Sequence, residues 1–226
     1  AGGRNAQVEL GIIDVEKNKT VWLDWRIKED DYLARVAWSL DGLLVIQVQS
    51  RDQKVLTTRA YAHKTDKWTN WYKESTDTWI ELNDNIFFTP LGLLTTSESQ
   101  GKCDLAFFNR QSPSKGLQII PTEAGRINKI IDYFDHHVYV SGWYKNPTTQ
   151  DLIKISLETG KLEIITDSNA WHEPIVNEKT RKAVSIVGRP SQPLSVIRID
   201  IPTTKVSIVY DNKILDGHPY FPFVDS

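Results

Sequence analysis

The most regular feature of the chain is an apolar strand, a short polar turn and a second apolar strand. Its clearest copy is Trp38–Gly42 followed by the apolar run Leu43–Val48. The Asp-Gly pair in this copy favours a tight hairpin, because glycine adopts a positive φ without a Cβ penalty. Comparable segments lie at residues 87–94, 133–140 and 175–184. The pattern therefore predicts four similar β-hairpins.

These hairpins recur with a nearly constant period. The strands after the turns open at Leu43, Leu93, Val138 and Ala183, in steps of 50, 45 and 45 residues. The predicted third strands of the four units lie at 55–61, 104–108, 151–155 and 194–199, and the fourth strands begin near Trp68, Leu117, Leu162 and Val206. Four-stranded units with a period of about 40–50 residues are typical of β-propeller blades. We therefore predict an all-β fold, a β-propeller of four-stranded antiparallel blades.

The amino-terminal part has the pattern of half a blade. Val8–Asp14 is predicted as a third strand and Thr20–Trp25 as a fourth. With four full blades this gives about eighteen short strands and no long helix. We predict one incomplete propeller domain of about four and a half blades over residues 1–226, with a half blade at 1–30 and blades at about 31–75, 80–122, 127–167 and 172–211. The mid-blade start indicates a fragment, whose open blade faces another copy or a longer ring would cover.

Composition narrows the possible partners. The chain is 40% hydrophobic and 25% charged with a formal net charge of -2, so it has no basic excess for nucleic acid. No apolar run approaches the roughly 20 residues that span a membrane, and the first residues lack the apolar core of a signal peptide. The lone Cys103 is interpreted as a small buried thiol. A periplasmic, secreted or cytoplasmic location remains open.

Motifs for catalysis or for cofactors are missing from the sequence. No serine lies in a Gly-x-Ser-x-Gly context, and phosphate-binding glycine loops are absent. His172-Glu173-Pro174 is the nearest approach to a zinc-peptidase motif, but it lacks the second histidine. We interpret all five histidines as ordinary surface or hydrogen-bonded side chains: His63, His136, His137, His172 and His218. We therefore predict no metal and no cofactor.

Three residues are candidates for a substrate cleft at the rim of the ring. Arg51 follows a predicted second strand, and Glu98 lies in the polar turn that Gly101 ends. Trp79 follows a loop and could stack on a ligand, although packing between blades is the alternative role that we favour for both Trp79 and Trp38. These three residues, Arg51, Glu98 and Trp79, are the only site residues that the sequence suggests.

The same segments resemble a known family. The stretch Asp31–Gly42, with the strand that runs into Ser50–Gln53, resembles the N-terminal propeller domain of dipeptidyl peptidase IV-like serine peptidases of the prolyl oligopeptidase superfamily. Thr76–Leu82 is similar to the family's aromatic segment, and Ser97–Gly101 looks like its Ser-Glu-x-x-Gly turn. Residues 189–194 resemble the last-blade stretch in which a small residue and proline precede a strand. The likeness extends in order over essentially the whole chain.

The resemblance implies a parent enzyme that removes dipeptides from the N termini of peptides. This chain would supply part of the propeller that encloses and gates the active site, and would be inactive alone. Its implied partners are a C-terminal α/β-hydrolase domain of the parent chain, peptide substrates and a second copy in a homodimer. The family's paired glutamates and catalytic triad would lie before Ala1 and after Ser226, so no catalytic residue is expected here. Two departures are Leu40, where the family usually has proline, and the lack of an Asp-Gly turn in the third blade.

Two other functions are compatible with the pattern. A stand-alone propeller could bind a protein or peptide on its rim, although the blades lack the regular Trp-Asp ending of WD repeats. A propeller lyase or glycosidase would need carboxylates that converge at the centre of the ring.

Overall fold

The fold is known from a computed structural model that describes residues 6–167, 169–190 and 192–212. These residues form eighteen β-strands and one short 3-10 helix, grouped in one two-stranded and four four-stranded sheets. The predicted all-β fold is confirmed: the four larger sheets are β-propeller blades and the smaller one is half a blade. Some sequence predictions, namely those on the first five residues, Ser191 and His218, lie outside the described residues.

The half blade consists of β1 (Leu10–Asp14) and β2 (Lys19–Leu23), which pair antiparallel. The first full blade has the strand order β3 (Tyr32–Trp38), β4 (Leu44–Gln49), β5 (Val55–Ala62) and β6 (Lys67–Ser75). Every residue of β4 is buried. This agrees with its apolar composition, because a middle strand that is covered on both faces does not need polar alternation.

The second blade contains β7 (Phe87–Thr89), β8 (Gly92–Ser97), β9 (Asp104–Asn109) and β10 (Leu117–Ile119). The 3-10 helix Pro113–Lys115 lies between the last two of these strands. Four consecutive strands again form one sheet in chain order. As in β4, all six residues of β8 are buried.

The third blade has β11 (Arg126–Phe134), β12 (His137–Trp143), β13 (Asp151–Ser156) and β14 (Leu162–Ile164). Two register shifts, of the kind that β-bulges produce, interrupt the pairing of β11 with β12. Bulges increase the local twist of a sheet, which accommodates the twisted shape of a blade.

The fourth blade has β15 (Trp171–Asn177), β16 (Lys182–Arg189), β17 (Gln192–Asp200) and β18 (Lys205–Tyr210). Its second strand differs from β4 and β8, because burial alternates along β16. The exposed face of this sheet carries Ile175, which is 73% exposed, and Leu194, which is 60% exposed. One face of the sheet is therefore covered and the other is open in the described chain.

The chain divides into two compact units. The first extends to Leu82 and also contains Phe108–Leu117, and the second contains Asn83–Phe107 and the chain from Gln118 onward. The predicted treatment of residues 1–226 as one domain, with its blade limits, stays a prediction.

Each unit has an apolar core made mostly of strand residues. In the first unit, Leu23 and Trp25 from the half blade pack with Leu44, Ile46 and Val48 of the first full blade. The larger core of the second unit joins strands of the second and third blades, and includes Leu94, Leu105, Ile127, Val140 and Ile153. A further cluster joins the third and fourth blades through residues such as Leu152, Ala183 and Ile199. Burial between successive sheets therefore supplies much of the hydrophobic stabilisation, as expected for stacked repeats.

The prediction that Trp38 packs between blades is wrong. Trp38 is 53% exposed, and the hairpin that follows it is held by polar contacts of Ser39 and Asp41. Asp41 also forms an ion pair with Arg110, at 2.7 Å between Oδ2 and Nη2. The buried aromatic layer of this unit uses Trp71 instead, which stacks on Phe108.

Candidate functional site

The turn that carries Arg51 connects β4 to β5 and is stabilised by several hydrogen bonds. The Ser50 hydroxyl accepts from Val55 N at 3.0 Å and donates to Asp52 Oδ1 at 2.5 Å. The hydrogen bond from Ser50 also lowers the pKa of the Asp52 carboxyl. Gln53 adopts a positive φ of 60°, which allows its amide to donate to Ser50 O at 2.8 Å. These hydrogen bonds define the turn that carries Arg51.

The segment that carries Trp79 is attached to this turn. The Ile80 amide donates to Gln53 O at 2.7 Å, and the Thr76 amide donates to Lys54 O at 3.0 Å. The side chain of Gln49, which is 2% exposed, donates to Ile80 O at 3.0 Å. Within the first unit, the structure therefore brings the backbone of Trp79 next to the turn of Arg51.

The side chains of Arg51 and Trp79 both face solvent. Arg51 Nη1 lies 3.6 Å from Asp30 Oδ1, in an ion pair whose partners are 42% and 62% exposed. Trp79 is 62% exposed, so the alternative of packing between blades is not seen in the described chain. A guanidinium and an indole on adjoining segments can bind a carboxylate and an aromatic or apolar side chain of a ligand.

Glu98 lies in the second unit, in the turn that follows β8. The predicted polar turn is present: the Gly101 amide donates to Glu98 O at 3.0 Å, and Gly101 has a φ of +86°. Glu98 Oε1 lies 3.3 Å from Nη2 of Arg126, the first residue of β11. Both side chains are more than 40% exposed, at 48% for Arg126 and 43% for Glu98. Glu98 is thus an accessible carboxylate with a neighbouring cation.

Lys102 follows this turn and forms hydrogen bonds with the segment before β11. Its Nζ donates to the backbone oxygens of Thr122 and Ala124 at 2.9 and 2.7 Å, and lies 3.0 Å from Asp104 Oδ1. Asp104 is 3% exposed, so the ammonium group offsets a buried carboxylate. Between these two residues, the backbone carbonyl of Cys103 accepts a hydrogen bond from the amide of Ile127 at 3.0 Å. Lys102 therefore connects the chain after this turn to the segment that precedes β11.

The Tyr144 phenol adds a polar group to the surface of the segment before β11. The Tyr144 hydroxyl donates to Glu123 Oε2 at 3.1 Å. This hydrogen bond raises the pKa of the Tyr144 phenol. The Lys145 ammonium lies 5.1 Å from the centroid of the Tyr144 ring. These groups are suited to ion pairing and stacking rather than to proton transfer.

The described residues contain no group of three or more His, Cys, Asp or Glu side chains that could hold a metal ion. Likewise, none of the described helices has the length and apolar character to cross a membrane. Cys103 is buried as predicted, and burial raises the pKa of its thiol. A thiol in that state is a weak nucleophile.

His172 is the polar residue that sequence reasoning underestimated. It lies in strand β15 and is 1% exposed, and its ring contacts the Asp167 carbonyl through Nε2 at 3.1 Å. The available signal was its position in a strand, two residues before the half-buried Pro174 on the same face. Its hydrogen bonds to Gln150 of the third blade depend on three-dimensional register, which the spacing does not reveal.

Comparison with known proteins gives one family. Residues 1–194 match the family model of the dipeptidyl peptidase IV (DPP IV) N-terminal region. Among solved structures, the chain is similar to dipeptidyl peptidase 4 from Porphyromonas gingivalis, with 16% identity, a TM-score of 0.84, and coverage of 95% of this chain and 31% of that one.

A second similar structure is a putative dipeptidyl aminopeptidase IV from Bacteroides ovatus, with 16% identity and a TM-score of 0.79. The match covers 96% of this chain and 34% of that chain. The chain therefore spans about a third of the length of the two solved structures, and at this identity the likeness shows the fold.

Proposed function

Because the chain belongs to the family of the dipeptidyl peptidase IV N-terminal region, we propose that it is the non-catalytic propeller portion of a serine exopeptidase that removes dipeptides from the N termini of peptides. In this proposal a C-terminal α/β-hydrolase domain of the parent chain carries the catalytic triad. The propeller encloses that site and gates the entry of peptides. The observation that carries the proposal is the family match over residues 1–194.

The surface chemistry supports a substrate-facing role for the rim. Arg51 and Trp79 are exposed on hydrogen-bonded segments of the first unit, and Glu98 is exposed on a hydrogen-bonded turn of the second unit. A peptide offers a carboxylate, amides and side chains, which are the groups that a guanidinium, an indole and a carboxylate bind. We propose each of these three residues, on its own unit, as a contact for a peptide substrate. Assembly of the parent as a homodimer is a further part of the proposal.

The proposal that the propeller portion is non-catalytic can be tested by activity measurements with a chromogenic Xaa-Pro dipeptide substrate. We expect no hydrolysis by the 226-residue chain and clear hydrolysis by the full product of the natural gene. The reason is that the chain supplies no Gly-x-Ser-x-Gly nucleophile. Turnover by the chain alone, or a full gene product without a hydrolase domain, would show that the proposal is wrong.

The role of Trp79 as a substrate contact can be tested with the variant Trp79→Ala of the full gene product. We expect the KM for a peptide of five or more residues to rise about two- to tenfold with kcat unchanged, because an aromatic contact is worth about 0.5–1.5 kcal/mol. The matched control is Trp38→Ala, which removes another exposed indole, 53% against 62% for Trp79, from the end of a hairpin. Steady-state kinetics measure both variants. Equal KM values for the two variants would exclude Trp79 as a substrate contact.

A further inference from the structure

Three successive blades of the second unit are connected by a chain of side-chain amides. Asn85 Nδ2 donates to Asn128 O at 3.1 Å, and Asn128 Nδ2 donates to Gln150 Oε1 at 2.8 Å. Gln150 Nε2 then donates to His172 O at 2.8 Å, and the His172 amide donates to Gln150 O at 2.9 Å. We call these four residues, Asn85, Asn128, Gln150 and His172, the amide ladder. The ladder ends at the backbone of His172, whose imidazole ring is buried.

The protonation state of the His172 ring follows from its contacts. A carbonyl oxygen only accepts hydrogen bonds, so the contact of Nε2 with Asp167 O requires the proton on Nε2. In the neutral ring Nδ1 is then unprotonated. Nδ1 is buried and has no hydrogen-bond partner among the residues that the structure describes. A proton added to Nδ1 would be a buried cationic N–H group without an acceptor, which is unfavourable.

Among the described residues, the charges that act on the ring are those of Asp167 and Arg189, which pair with each other. Asp167 is already paired with Arg189, at 2.6 Å between Oδ2 and Nη2, and both residues line a cavity of about 490 Å³ together with His172 and Asp211. Asp151, which follows Gln150 in the chain, accepts a hydrogen bond from Thr166 at 3.0 Å. The Asp167 carboxylate therefore has a cation of its own.

We propose that His172 makes the joint between the third and fourth blades sensitive to protons. The neutral ring keeps β15 hydrogen-bonded to Gln150, and uptake of a proton from solvent at Nδ1 loosens this contact. The fourth blade then becomes more mobile relative to the third in mildly acidic solution. The proposal does not depend on the parent's enzymatic activity, because it concerns only the folded propeller blades.

Burial supports the direction of the effect. It lowers the pKa of the His172 imidazole below its ordinary value, against the opposing influence of the Asp167 hydrogen bond and charge. The unfolded chain therefore binds the proton more readily than the folded chain does. The stabilisation is complete above the ordinary pKa of about 6.5 and is lost as the pH falls below it.

The test compares the wild-type chain with His172→Gln, whose side-chain amide keeps a donor but cannot titrate. From urea unfolding at pH 5.0 to 7.5, the wild-type unfolding constant should rise, relative to that of the variant, by up to about tenfold per pH unit below pH 6.5. The control His63→Gln removes an exposed histidine and should follow the wild type. Parallel pH profiles for the wild type and His172→Gln would overturn the proposal.

Two measurements on the wild type keep the test decisive if His172→Gln fails to fold. Hydrogen exchange, corrected for its intrinsic pH dependence, should accelerate in acid for peptides that contain Gln150 and His172 but not for peptides from β8. Nitrogen NMR of the ring should show Nδ1 unprotonated at pH 6. A ring that titrates near pH 6.5 with unchanged exchange at Gln150 and His172 would refute the proton-sensitive joint.

Discussion

Replacing Gly142 with alanine should lower the free energy of unfolding by about 3 kcal/mol. A Cβ at this position would lie 2.2 Å from the backbone oxygen of Arg126 and 3.2 Å from the Cα of Ile127. Both atoms belong to β11, which pairs with the strand of Gly142, so no side chain can rotate away to make room. The urea midpoint, followed by tryptophan fluorescence, measures the loss.

Gly188→Ala is the matched control for this prediction. Gly188 occupies a comparable place near the end of the second strand of the fourth blade, but its nearest neighbour is a flexible side-chain atom, Leu194 Cδ2, at 3.3 Å. We expect a change of less than about 1 kcal/mol. Equal losses for Gly142→Ala and Gly188→Ala would contradict the argument from the approach of β11.

Lys102→Met should lower the free energy of unfolding by about 3 kcal/mol. The substitution keeps the length of the side chain but removes the ammonium group from the buried Asp104 carboxylate and from two backbone oxygens. A buried charge that loses its partner is costly because water cannot replace the lost contact. Urea unfolding again measures the change.

Two variants control for the loss of a lysine. Lys154→Met removes a lysine that pairs with the exposed Glu163 at 3.1 Å, and should cost at most about 1 kcal/mol. The double variant Lys102→Met with Asp104→Asn removes both charges and should recover part of the stability lost in Lys102→Met. If Lys102→Met is no worse than Lys154→Met, the segment before β11 does not depend on this ion pair.

The arrangement of strands could be predicted because it follows from local patterns in the sequence. The hairpin turns are short, apolar residues recur in the strands, and the period of 45–50 residues between Leu43, Leu93, Val138 and Ala183 repeats along the chain. Such features need no knowledge of distant contacts. The exposed face of β16 could not be predicted in this way, since apolar composition alone does not show which face a neighbouring sheet covers.

The candidate site was harder to predict because its geometry is made by residues distant in sequence. The sequence singled out Glu98 but not its partner Arg126, which is 28 residues away. It suggested packing for Trp79, which the structure places at 62% exposure. The roles of Arg51, Glu98 and Trp79 in substrate contact remain predictions. Side-chain exposure and ion pairing depend on how loops from different strands meet, and single-chain periodicity carries no such information.

The distribution of tryptophans also determines how the chain can be observed in solution. Trp25 is 2% exposed and Trp71 is 9% exposed, whereas Trp22 and Trp79 are 66% and 62% exposed. The fluorescence of the folded chain is thus a sum of a blue, protected emission and a red emission that a soluble quencher such as iodide reaches. The protected component reports unfolding, and the part of the quenchable component that comes from Trp79 reports a ligand that covers the rim. Emission spectra recorded with and without iodide can therefore separate loss of structure from occupation of the surface.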